Sequence, residues 1–183
     1  MTNAKTVNSS RTTITELMIP SYANFGGKVH GGFLLSLMDK VAYVVASKHS
    51  GGYCVTVAVE NVEFLTPVEV GELVSMKASV NYVGRTTMIV GIRVESLQPK
   101  TGVVKHTNSS YFTMAAKDEN DQLKPVPGLI LESQTELRRF CEGRLIRDFS
   151  KQKRDILKSD MIDVPFEGMV EMCGSENCSI SLV

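Results

Sequence analysis

The chain has 183 residues, 43% of them hydrophobic, with twenty basic and twenty acidic residues and no Trp. That length and apolar fraction suit one domain with a buried core and at most a tail. A formal net charge of zero excludes a general electrostatic surface for nucleic acid or an anionic membrane.

Residues 1–11 are polar and lack the apolar run of a signal peptide, so they read as a flexible lead into a cytoplasmic protein. In that compartment Cys54, Cys141, Cys173 and Cys178 are expected to be reduced. Cys173 and Cys178 have no His near them, so no metal site is expected. Thr12 to Ile19 is rich in β-branched residues and ends at Pro20, which predicts a first strand.

A Gly-rich loop follows from Pro20 to Gly32, with Asn24 and His30 in it. Phe33 to Lys48 then contains no Gly or Pro and is almost entirely apolar. A run of this kind predicts a helix buried on every side. It falls short of the roughly 20 apolar residues of a membrane span, and Asp39 and Lys40 interrupt it. Asp39 has two readings. Either it lies on one exposed edge of the helix, or it is a buried carboxylate of the kind that acid and base chemistry uses. Ser50-Gly51-Gly52 stops the helix, with Lys48 and His49 in its last turn, where cations suit the dipole. His49 and His106 read as surface or strand positions.

From Tyr53 to Phe64 apolar and polar residues alternate until the phase slips after Glu60, which predicts a strand with a bulge near Asn61. Glu72 to Val83 and Thr87 to Leu97 alternate cleanly across the Gly84-Arg85 turn. Val103 to Ala116 is a further strand, and Leu123 to Val126 a strand end. Met38, Met76, Met88 and Met114 are expected in the core, the default for apolar Met residues. Pro127-Gly128 ends the sheet. Glu132 to Arg154 is charged and helix-forming, with a break expected near Gly143. Asp155 to Val183 shows no clear periodicity and is left as a tail.

Long strands joined by short turns make an antiparallel meander with one apolar face. The expected fold is α+β: a long antiparallel sheet wrapped around one central buried helix, with a C-terminal helix and tail. The domain ranges are then 1–11, 12–126, 127–154 and 155–183. An edge strand is left to pair with a second copy.

The loop and helix also carry a chemical reading. Amides at Gly31 and Gly32, at the helix start, have no intrahelical partner and can hold an anion or polarise a carbonyl. Asp39 lies two turns further on, ~10 Å along the axis. One chain's amide and its own Asp39 are therefore too far apart to act on one atom, whereas two facing copies could combine them. Gly26-Gly27-Lys28 lacks the Ser or Thr and the earlier Gly of a phosphate-binding loop.

The set Pro20, Asn24, Gly27, His30-Gly31-Gly32 and Met38-Asp39 resembles the signature of the hotdog-fold acyl-CoA thioesterases, YciA-like enzymes and cytosolic acyl-CoA hydrolases. Val55 to Glu60, Phe64 to Gly71 and Gly84 to Met88 resemble further parts of that family in the same order. The likeness runs over residues 12–153. Tyr22 departs from it, standing where relatives often carry an acidic residue, and the tail has no counterpart. The resemblance implies hydrolysis of a fatty acyl-CoA to free acid and coenzyme A. Asp39 would be base or nucleophile, and Asn24 would come from the facing protomer. The amide of Gly31 or Gly32 would polarise the thioester carbonyl. Val57, Ala58 and Val59 would run beside the pantetheine, Arg85, Thr86 and Thr87 would meet the nucleotide end, and His30 would line the substrate. It implies no metal or redox cofactor, coenzyme A being part of the substrate, and a homodimer assembling to a homohexamer. The alternative is a non-catalytic acyl-CoA-binding regulator on the same fold. A dehydratase using His30 is disfavoured because no acid partner for it is evident.

Overall fold

The computed structural model describes residues 4–159, 164–174 and 176–181, in two compact units, Met1–Ile146 and Arg147–Val183. In the first unit the chain forms β1 (Lys5–Thr6), α1 (Val7–Ser10), β2 (Thr12–Leu17), a 3-10 turn (Pro20–Tyr22) and α2 (Gly31–Ser50). It continues as β3 (Cys54–Val59), β4 (Glu63–Phe64), β5 (Leu73–Val83), β6 (Thr87–Leu97), β7 (Val104–Ala116) and β8 (Leu129–Ile130). One antiparallel sheet runs β2-β5-β6-β7-β3, with β4 also on β7. It curls around α2, as the α+β reading expects.

The core lies between α2 and the inner face of the sheet. Leu34, Leu37, Met38, Val41, Ala42, Val45 and Ala46 meet Val74, Met76, Val80, Val90, Val94, Phe112 and Met114. These helix positions recur at three- and four-residue steps, so they form one stripe. The opposite stripe, with Gly32, Ser36, Asp39, Lys40 and Tyr43, is exposed in the single chain. The expectation of a helix buried all round is thus corrected. Overall apolarity hid a periodicity that leaves Asp39 on the open side. The helix is also longer than expected. His30 caps its start, and Gly51, at φ 69°, caps its end in the left-handed conformation that Gly adopts without strain.

Four further local expectations are corrected. Residues 4–11 are not a loose lead. Val7 and Ser10 are fully buried, and the Ser10 Oγ accepts the Val80 N–H at 3.1 Å. The bulge in the strand after the helix falls at Val57, where pairing to β7 shifts between Thr56 and Ala58, instead of near Asn61. Between β7 and β8, the latter paired in parallel with β1, no strand forms over Leu123 to Val126; Leu123 makes a single bridge to Lys117. Finally, α3 (Gln134–Ser159) passes through Gly143 unbroken. A Cβ on Gly143 would lie 2.7 Å from the Tyr82 Cβ, so this Gly serves close packing of helix on sheet and not a break.

His49 is buried as well, against the expectation of a surface position. It falls on the apolar stripe of α2, where its Nε2 lies 3.0 Å from the Pro127 carbonyl oxygen. In the second unit, α4 (Phe166–Cys173) gives helical structure to part of the expected tail. Residues 1–3, 160–163, 175 and 182–183, which share the lead and tail readings, lie outside the described residues.

Candidate active site

The loop before α2 is organised by Asn24. Its Oδ1 accepts the backbone N–H of Gly26 at 2.9 Å and of Lys28 at 3.2 Å, and its own N–H reaches the Lys28 carbonyl at 2.7 Å. Two backbone donors converging on one atom identify that atom as the amide oxygen. The oxygen is therefore committed to the loop. What the exposed side chain has left to offer is its NH2 group, a pair of donors.

His30 caps the helix, its Nδ1 accepting the Gly32 N–H at 2.9 Å. The Gly32 amide is thereby satisfied by the cap, and the bond turns the exposed His30 ring to the helix start. The Gly31 N–H meets no acceptor among the described residues. The Phe64 ring of β4 lies beside it, 3.3 Å from where a Cβ would stand, so a side chain at this position would have to displace the ring. Nearby, Tyr22 stacks on Phe33 with ring centroids 3.6 Å apart and donates its hydroxyl to Glu16. Desolvation and the Glu16 carboxylate hold the Tyr22 phenol above its usual range.

Asp39 stands two turns along the exposed stripe. Thr56 of β3 donates its hydroxyl to the Asp39 Oδ1 at 2.6 Å, the short range of a bond to a carboxylate. One carboxylate oxygen is thereby oriented, and Oδ2 has no hydrogen-bond partner among the described residues. In the sequence Thr56 is one residue of a strand pattern, with no role apparent. The available signal was that Thr56 is the single hydroxyl among Val55, Val57, Ala58 and Val59.

The bulge follows at once. Val57 and Val59 are about half exposed on β3, the last strand of the sheet path. Bulges re-aim a strand at sheet edges and beside sites. The turn Arg85-Thr86-Thr87 lies at the same end of the sheet, because Thr87 and Val55 both pair with Ala115. Its backbone is pinned, the Arg85 carbonyl accepting from Val126 at 3.0 Å and the Thr86 carbonyl from Ala116 at 3.1 Å. The Arg85 side chain is exposed.

The structure thus brings together Asp39, Thr56, Val57, Ala58 and Val59, with Arg85, Thr86 and Thr87 two strands away. It does not bring Gly31 or Asn24 to the same chain's Asp39: Gly31 meets β4, whereas Asp39 meets β3. Among the described residues no helix is long and apolar enough to cross a membrane.

The thioesterase superfamily model matches residues 26–103. Protein VdlD of Helicobacter pylori is 42% identical over 154 residues, covering 84% of this chain and 87% of that protein. A solved apo-hexameric acyl-CoA thioesterase is 32% identical, with a TM-score of 0.81 over 83% of this chain and 97% of its own. An acyl-CoA hydrolase from Staphylococcus aureus, solved with butyryl coenzyme A, coenzyme A and coenzyme A disulfide, is 25% identical, with a TM-score of 0.80. It covers 86% of this chain and 96% of its own. The chain belongs to the hotdog-fold acyl-CoA thioesterases, a family of thioester hydrolases.

Proposed function

We propose that this protein hydrolyses fatty acyl-CoA thioesters to free acid and coenzyme A, with Asp39 as the reacting carboxylate. The observation that carries the reading is the Thr56–Asp39 hydrogen bond, which holds one carboxylate oxygen and leaves the other to face a substrate or water. Asp39 either draws a proton from the attacking water or attacks the carbonyl carbon itself. In the first route the tetrahedral intermediate collapses to the acid and the coenzyme A thiolate, which takes the proton back from Asp39. In the second it collapses to an Asp39–acyl anhydride and the thiolate, and water then cleaves the anhydride to the acid and free Asp39.

The developing oxyanion needs a donor that is not already used. The Gly31 amide meets that condition, and the Gly32 amide, held by His30, does not. Asn24 offers its NH2 group to the carbonyl or the water. Because these donors lie away from the same chain's Asp39, the working site combines Asp39 of one copy with Gly31 and Asn24 of a facing copy. A homodimer is the smallest such unit. The apo-hexameric thioesterase it resembles supports assembly to a homohexamer. Pantetheine runs along the open edge at Val57 to Val59, and Arg85 meets the phosphates as a charged donor. The scheme uses no metal or redox cofactor, and we assign the protein to the cytoplasm.

The second reading, an acyl-CoA-binding regulator, is disfavoured by the oriented carboxylate. Free thiol release from a panel of short to long acyl-CoAs separates the two. The enzyme reading expects release that collapses in Asp39→Asn. Binding without release by the wild-type protein overturns it.

A further inference from the structure

A cavity of about 410 Å³ opens on the outer face of the sheet, on the side away from α2. Five cationic side chains line it: Arg11, Lys77, Arg93, Arg138 and Arg139. The chain as a whole is neutral, so a basic composition does not explain the cluster. Three carboxylates answer these cations. Glu136 pairs with Arg11, Glu95 with Lys77 and Arg93, and Glu142 with Arg138. Two positive charges remain in excess, and Arg139 has no ion-pair partner among the described residues. Two charges match one phosphomonoester dianion, which carries about −1.5 to −2 at neutral pH.

The rest of the wall mixes Ala78, Gly91 and Ile92 with polar side chains. Thr13, Ser79 and Ser109 contribute hydroxyls, the Ser110 hydroxyl is spent on the Glu60 carbonyl, and Tyr111 gives its phenol to Glu142. Asn81 lines the cavity, is almost fully buried, and takes the Ser79 hydroxyl on its Oδ1 at 3.0 Å. Its Nδ2 meets no acceptor among the described residues. Gly91 keeps this arrangement open, since a Cβ there would lie 2.2 Å from the Asn81 Nδ2. The volume is within the range of small-molecule sites.

We propose that this cavity is a binding site for a phosphomonoester with a hydroxyl-rich body, the chemistry of a sugar phosphate. Guanidinium groups take the phosphate oxygens as paired donors, and the hydroxyls and the Asn81 amide take the polyol. The site lies outside the thioester chemistry and stands without the functional reading above.

The test is isothermal titration of the full-length protein with ribose 5-phosphate, inorganic phosphate and ribose. The expected result is saturable binding of one ribose 5-phosphate per chain, weaker binding of phosphate and none of ribose. Arg139→Gln removes a cation that holds no ion pair, and should weaken ribose 5-phosphate by about tenfold, the scale of one charge-assisted contact. Lys100→Gln, a cation in the turn between β6 and β7, should leave binding unchanged. Acyl-CoA hydrolysis by Arg139→Gln should match the wild type, so failure here is distinct from failure of the thioesterase reading. No saturable binding by the wild-type protein, equal loss in Lys100→Gln, or undiminished binding in Arg139→Gln overturns the proposal. Phosphate binding as tight as ribose 5-phosphate overturns the sugar part of it.

Discussion

The two long faces of α2 are built from opposite materials. On one, Leu34, Met38, Val41, Val45 and His49 are sealed against the sheet. On the other, Ser36, Asp39, Lys40 and Tyr43 stand open, with Asp39 held by the Thr56 hydroxyl and Tyr43 edge-on to Tyr53. The first face gains its free energy from apolar burial and close packing. The second contributes little to folding and carries the carboxylate proposed above to react. Stability and chemistry are thus separated by about half a turn of one helix, and substitutions on the two sides should fail in different ways.

The largest effect expected from the open face is that of Asp39→Asn, a loss of roughly a thousandfold in kcat with an unchanged melting temperature. Thiol release and a thermal melt read the two quantities. A variant that melts early would break the separation. From the sealed face, Met38→Ala should cost about 2–5 kcal/mol of stability through the cavity it leaves, while kcat of the folded fraction holds. Denaturant unfolding beside the same assay checks it. A smaller effect is expected for Thr56→Val. It removes the hydroxyl from Asp39 but keeps the side chain's shape, and should lower kcat about tenfold with KM nearly constant. An equal loss in Asp39→Asn and Asp39→Asn/Thr56→Val would show that Thr56 acts only through the carboxylate.

The smallest effect concerns His49. Burial is the main cause that holds its imidazole below the usual range. The Pro127 carbonyl opposes that shift, and Lys5 adds to it. The native state therefore resists taking a proton that the unfolded chain accepts near pH ~6.5. Above that pH this contribution to stability is complete, and it is lost as the pH falls toward the depressed native value. His49→Gln should flatten the fall in denaturation midpoint between neutral and mildly acidic pH. An identical pH profile in the variant would count against the buried histidine as its source.

How far these features were legible in the sequence depended on whether they were local. The period-two alternation of Val74 to Tyr82 and of Met88 to Val94 is written residue by residue, and the strands follow it. The central helix was legible as a helix, but its composition concealed which side faces the sheet, because Leu35, Tyr43 and Val44 look as apolar as Leu34 and Val41. Features that depend on a distant partner were not legible. Ser10 is buried because Val80 needs an acceptor, Gly143 is small because Tyr82 lies against it, and Val57 bulges because β7 is one residue short opposite it. In the candidate site, Asp39 stood out as an acid in an apolar run. Its partner Thr56, seventeen residues later, looked like any strand threonine. The capping of Gly32 by His30 depends on a ring rotamer that no spacing rule specifies.

The pairing of β1 with β8 has a consequence in time. Lys5 sits opposite Leu129, and its ammonium reaches the carbonyls of Lys48 and His49 at the C-terminal end of α2, at 3.1 and 2.7 Å. The Pro127 carbonyl meets His49 from the other side. During synthesis at about 5–20 residues per second, residue 129 follows Ser50, the last residue of α2, by roughly 4–16 seconds. For that interval the nascent chain holds its central helix with the lower end uncovered. The protein therefore becomes complete only when its opening segment and a segment two-thirds of the way along close over the same helix end.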